Sequence, residues 1–93
     1  MKATLNGTRY DTQTCEELGS YDHQNNGNYS GTTYLLLAKD GKYLVHTDSN
    51  GQDCYLPDSL SVWDPGEDSI DGFRLSEDEE KRCEELGLIK VCG

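Results

Sequence analysis

Two apolar runs meet at Asp40-Gly41 in the stretch TTYLLLAKDGKYLVHTD, residues 32–48. An Asp-Gly pair between such runs is among the strongest short-range hairpin signals, because a type I′ turn needs positive φ at both central positions. Read as a two-residue loop, it sets Lys39 opposite Lys42, Ala38 opposite Tyr43, Leu37 opposite Leu44, Leu36 opposite Val45 and Leu35 opposite His46. One face then carries Leu35, Leu37 and Leu44, and the other carries Tyr34, Leu36, Ala38, Tyr43 and Val45. Both faces are apolar, so the pair belongs at the centre of a sheet with material packed on each side.

The remaining elements are read outward from this hairpin. Asn6-Gly7 predicts a small hairpin of residues 2–5 and 8–10. Asp11 or Thr12 is read as the cap of a short helix ending before Gly19, with Cys15 and Leu18 inward and Glu16 and Glu17 outward. At fewer than three turns such a helix needs tertiary support. Residues 20–31 are polar and rich in Asn and Gly, which reads as a loop anchored by Tyr21 and Tyr29. Ser49-Asn50-Gly51 is a turn signal leading to a strand at about residues 52–56, completing a three-stranded meander. Residues 57–69 read as an irregular connection anchored by Trp63 and turning at Pro65-Gly66, with a brief strand at residues 72–75.

Ser76-Glu77-Asp78-Glu79 is a capping box, which opens a helix running to Leu86 and stopping at Gly87. Its spacing turns Cys83 and Leu86 inward and Glu77, Asp78, Glu80, Lys81, Glu84 and Glu85 to water. Residues 88–91 are read as an edge strand. The pentapeptide CEELG occurs twice, at residues 15–19 and 83–87, and is read as two helix ends sharing a Gly stop rather than as a duplication. The expectation is an α+β fold: an antiparallel sheet on a central hairpin with two short helices, in the order ββαβββα, within a single domain of residues 1–93.

Ninety-three residues with 33% hydrophobic content support one modest core. The formal net charge of −10 removes direct binding of DNA, RNA or an anionic membrane, each of which needs clustered Lys and Arg. A basic partner is the natural complement. The first residues, MKATLNG, lack the apolar core of a signal peptide, and no run approaches the ~18 apolar residues of a membrane span. The expected location is therefore the cytoplasm, where Cys15, Cys54, Cys83 and Cys92 would be thiols.

Metal and catalytic readings fare poorly on the same residues. The cysteines are too widely spaced for a zinc motif, with only His23 and His46 to join them. Glu67, Ser69, Asp71, Gly72 and Asp78 echo a calcium loop, but the first position is Glu, Arg74 stands where an apolar residue belongs, and no helix precedes. No nucleophile elbow, phosphate-cradling loop or His-Glu-x-x-His motif occurs, and His46 and Cys54 read as ordinary strand residues. The chain is read as non-enzymatic and without a cofactor.

Charge is where the sequence points to function. Residues 64–85 hold ten acidic side chains against three basic ones, whereas residues 1–63 hold eight against four. Acidic groups at helical spacing lie about 5 to 6 Å apart, close to the phosphate spacing along one nucleic-acid strand. The candidate partner-binding residues are Asp64, Glu67, Asp68, Asp71, Glu77, Asp78, Glu80, Glu84 and Glu85. Tyr21, Tyr29 and Trp63, where exposed, would supply aromatic contacts. The alternative is a solvated helix face, although that would not require the acidity of the preceding loop.

Three motifs carry a resemblance: Asn6-Gly7-Thr8-Arg9-Tyr10-Asp11-Thr12-Gln13-Thr14, the run Leu35 to Val45, and Leu75-Ser76-Glu77-Asp78-Glu79. In this order they resemble a family of small acidic proteins encoded by phages and other mobile elements of bacteria. The chain departs from that pattern at Cys83, where an aromatic is usual, and in its Asn-rich loop. The resemblance implies an anti-CRISPR or anti-restriction type of inhibitor. Its acidic surface would act as a nucleic-acid mimic in the basic channel of a host CRISPR effector complex. The other reading is a non-inhibitory accessory module of the mobile element, binding a protein partner through the hairpin surface.

Overall fold

The computed structural model describes residues 2–25, 28–48 and 59–89. Its elements are β1 (Lys2–Leu5), β2 (Thr8–Asp11), β3 (Glu16–Asn25), β4 (Asn28–Leu37), β5 (Tyr43–Asp48), β6 (Ser59–Trp63) and α1 (Glu77–Glu85), with single 3-10 turns at Thr12–Thr14 and Ile70–Gly72. The pair β1-β2 forms one small sheet, and β3-β4-β5-β6 form an antiparallel meander in chain order. The architecture is α+β, and the hairpin of β4 and β5 is central.

At Asn6-Gly7 both residues have positive φ, 51° and 82°, and Leu5 pairs with Thr8, the geometry of a two-residue loop. The second hairpin turns differently. Gly41 has φ +89°, but Asp40 is not in the positive region. The Gly41 N–H donates to the Ala38 carbonyl at 3.0 Å, and the Ala38 N–H donates to the Lys42 carbonyl at 2.8 Å. Lys39, Asp40 and Gly41 thus form a three-residue loop with glycine in the left-handed position, and Asp40 Oδ1 holds it by accepting the Lys42 N–H at 3.0 Å.

The extra loop residue shifts the pairing by one. Leu37 lies opposite Tyr43, Leu36 opposite Leu44, Leu35 opposite Val45 and Tyr34 opposite His46. A one-residue slip turns every side chain of β5 to the other face. Leu44 therefore joins Leu36, Ala38, Tyr10 and Leu60 under the β1-β2 hairpin, with Tyr34 beside them. On the opposite face Leu35, Leu37, Tyr43, Val45, Leu18 and Trp63 pack against Cys83, Leu86, Ile70 and Phe73. Both faces are apolar and both are covered. Full burial of Leu18, Leu35 and Leu44 contributes about 1.5–3 kcal/mol for each side chain.

The first predicted helix is replaced by a strand. Asp11 does act as a cap, its Oδ1 accepting the Gln13 N–H at 3.0 Å, but only for the 3-10 turn at Thr12–Thr14. The chain then enters β3, where Glu16 pairs with Leu37 and Glu17 with Leu36. Ladder bonds to a central strand outweigh a helix too short to stand alone. The predicted polar loop at residues 20–31 is likewise a ribbon, with pairing from Ser20–Tyr34 to Asn25–Asn28. Thr32 and Asp22 bond across it on one face (3.0 Å), while Thr33 accepts or donates to His23 and Thr47 on the other.

Residues 57–69, read as irregular, contain β6 from Ser59. The strand expected at residues 72–75 is a 3-10 turn followed by a single bridge, in which Arg74 exchanges both backbone bonds with Ser20 (3.2 and 2.7 Å). Leu88 and Ile89 pack onto the core but form no strand. The strand at residues 52–56 and the turn at residues 49–51 lie outside the described residues, as do Lys90 and Val91. The turn at Pro65-Gly66 is present.

Helix α1 matches its reading. The Ser76 hydroxyl accepts the Glu79 N–H at 3.3 Å while Glu79 Oε1 accepts the Ser76 N–H at 2.9 Å. Gly87, at φ +80°, ends the helix in a Schellman arrangement: Leu88 N–H to Cys83 carbonyl, Gly87 N–H to Glu84 carbonyl.

Candidate acidic interface

The nine carboxylates selected from the sequence fall in two places, and all nine are exposed. Asp64, Glu67, Asp68 and Asp71 lie on the connection from β6 to α1, and Glu77, Asp78, Glu80, Glu84 and Glu85 lie on α1. The connection is shaped by its own acidic residues. Asp64 Oδ1 accepts the Gly66 N–H at 2.8 Å, and Asp68 Oδ2 accepts the Asp64 N–H at 3.0 Å. The Glu67 and Asp68 N–H groups close back on the Asp64 carbonyl at 3.1 and 2.7 Å. The loop and the residues that follow the helix border one groove, lined by Asp68 and Asp71 from the loop and by Gly87 and Leu88.

Little of this charge is neutralised at contact distance. Among the described residues, Glu85 alone of the nine has an ion pair, with Arg82 at 3.4 Å. Arg82 makes its shorter contact, 2.8 Å, with Glu16 on β3, and both side chains are surface groups. That carboxylate, first, and then Glu85 raise the Arg82 guanidinium above its ordinary value. In the first turn of α1, Glu77, Asp78, Glu79 and Glu80 sit against the positive end of the helix dipole, which offsets their mutual repulsion.

Two acidic residues at the start of β3 also belong to this region, and the sequence reading placed them elsewhere. Glu16 meets α1 through Arg82. Glu17 has its carboxyl raised above its ordinary value, first by partial burial and then by the facing Glu79 carboxyl. No local signal marks this approach, since 62 positions separate Glu17 from Glu79 (79 − 17).

Two of the aromatic residues selected with the carboxylates, Trp63 and Tyr21, pack inward. Trp63 is 6% exposed and meets Tyr43 edge to face at 5.8 Å. Tyr21 is half-buried, with its ring 4.8 Å from His23 and 5.3 Å from Phe73. The Tyr29 side chain and Cys54 lie outside the described residues. His46 stacks on Tyr34 at 6.0 Å. Among the described residues no three His, Cys, Asp or Glu side chains converge as metal ligands would, and the Ser69 hydroxyl of the calcium-like stretch is engaged by the Asp71 N–H.

Among the described residues the cysteines are Cys15 and Cys83, and both thiols are raised above their ordinary value. Burial is the first cause raising Cys15, with Asp11 and Asp40 adding to it. Burial also raises Cys83, followed by Glu79 and Glu16. No helix among the described residues is long and apolar enough to cross a membrane. Comparison with protein-family models, with curated proteins and with solved structures finds no match to the chain.

Proposed function

We propose that the protein is a non-catalytic inhibitor of a bacterial host defence system, an anti-CRISPR whose acidic surface mimics nucleic acid. In this reading the carboxylates of the β6–α1 loop and of α1 enter a Lys/Arg-lined channel of an effector complex and compete there with target DNA. The observation that carries it is the state of the charge: nine carboxylates on one chain segment, all exposed, eight of them without an ion pair among the described residues. A cationic channel gains by exchanging counterions for such a surface, as it does for phosphates.

The resemblance to small acidic mobile-element proteins supports the choice of host. The test is retention of a host protein from bacterial lysate at low ionic strength, its release at high ionic strength, and loss of retention when target DNA is added. A partner held equally at both ionic strengths and indifferent to DNA would instead identify an accessory binding module.

A further inference from the structure

Between the acidic loop and the C-terminal end of α1 lies an open groove of about 340 Å³. Trp63, Pro65, Ile70 and Leu88 give it an apolar lining, and Asp68, Ser69 and Asp71 line it as well, with Gly87. Three features coincide here. The walls can cover a hydrocarbon chain. One Asp68 oxygen is engaged by the Asp64 N–H, while Asp71 accepts no side-chain or backbone donor among the described residues. The groove also opens beside Gly87, where α1 presents the negative end of its dipole.

We infer that this groove receives a single arginine side chain of the basic partner, its methylene stem on Trp63, Ile70 and Leu88 and its guanidinium against Asp71 and Asp68. The inference rests on the proposed acidic interface and adds to it a fixed point of recognition. Long cationic side chains bury their stems along apolar surface while the head stays polar, and this groove is lined by both kinds of surface. A planar guanidinium suits a pair of carboxylates better than a point-like ammonium does. An acidic helix without such a groove would hold a basic channel in many registers; an arginine socket selects one.

The test is a titration of the isotope-labelled protein, followed by nuclear magnetic resonance, with N-acetyl-argininamide and with methylguanidinium, which carries the same head without the stem. Argininamide should shift the Trp63 indole and the Ile70 and Leu88 signals to saturation. Methylguanidinium should bind roughly tenfold more weakly, the factor for burying about two methylene groups. Asp71→Asn should weaken argininamide by about threefold, as expected for one partly exposed ion pair. Equal binding of the two cations, or shifts spread along Glu77, Glu80 and Glu84, would overturn the socket and leave the broader acidic interface standing. No saturable shift with argininamide, in a protein that still releases its partner with salt, would do the same.

Discussion

The Cys83 thiol donates to the Leu18 carbonyl at 3.7 Å, and both residues are fully buried. They belong to the two copies of CEELG, one extended in β3 and one closing α1, so a single pentapeptide supplies both sides of one contact. The first copy is pulled straight by pairing with β4; the second follows a complete capping box. Truncating Leu18 to Ala should cost about 2–5 kcal/mol. With Cys83→Ala the two changes should be non-additive, because they share a cavity. Denaturant unfolding of the single and double variants measures this, and strictly additive losses would mean that the contact is not shared.

The glycines that end the two copies make different demands. At Gly87 the φ of +80° requires no side chain, so Gly87→Ala should cost about 1 kcal/mol with the fold unchanged. At Gly19 an added Cβ would lie 2.5 Å from Leu75 Cδ2 and 3.1 Å from Phe73 Cβ. Leu75 can turn aside, but the Phe73–Arg74 backbone is fixed by its bridge to Ser20, so Gly19→Ala should cost about 1–3 kcal/mol. Thermal melts of the two variants compare them; a neutral Gly19→Ala would contradict the packing.

Ser76 and Glu79 cap α1 reciprocally, and Ser76→Ala should cost about 1 kcal/mol. The same variant should lose helical signal in circular dichroism on mild heating before the sheet melts. An unchanged stability curve would show that tertiary contacts alone hold the helix.

Glu17 gives a dependence on pH with a definite sign. Its folded carboxyl is held above the ordinary value of 4.5, by burial first and the Glu79 carboxyl second. The folded state therefore binds this proton more tightly than the unfolded one. Stability is lost as pH rises through and above 4.5, an effect kept small by solvent screening. Glu17→Gln should raise the melting temperature near neutral pH, with the gain vanishing as pH falls below that value. A gain that persists in acid would point to a cause other than charge.

The hairpin core was legible because its apolar runs are long and its breaker is strong, but its register was not. Asp-Gly suits both a two-residue loop and a three-residue loop with glycine last, and only the φ of Asp40 separates them. That single torsion decides whether Leu44 lies with Leu36 or with Leu37. The last helix and the exposure of its carboxylates were legible because capping and Gly termination are local. The strand Glu16–Asn25 was not, since Asp11 and Gly19 mimic helix ends and its partner strand begins only at Asn28. Period-two alternation around Tyr21 and His23, with Asn-Gly at positions 26–27, was the signal available. Trp63 was recognised as an anchor, and it is buried, with only a small part of it left to line the groove beside α1.

Mimicry of nucleic acid requires that the acidic segment compete with DNA. The decisive measurement is target-DNA occupancy of a host RNA-guided effector, titrated with the native protein and with a variant carrying amides at Asp64, Glu67, Asp68, Asp71, Glu77, Asp78, Glu80, Glu84 and Glu85. Under mimicry the native protein displaces DNA at low salt, displacement weakens steeply as salt rises, and the folded amide variant fails to displace. Displacement by the amide variant equal to that of the native protein, or DNA occupancy unmoved by either, would contradict it.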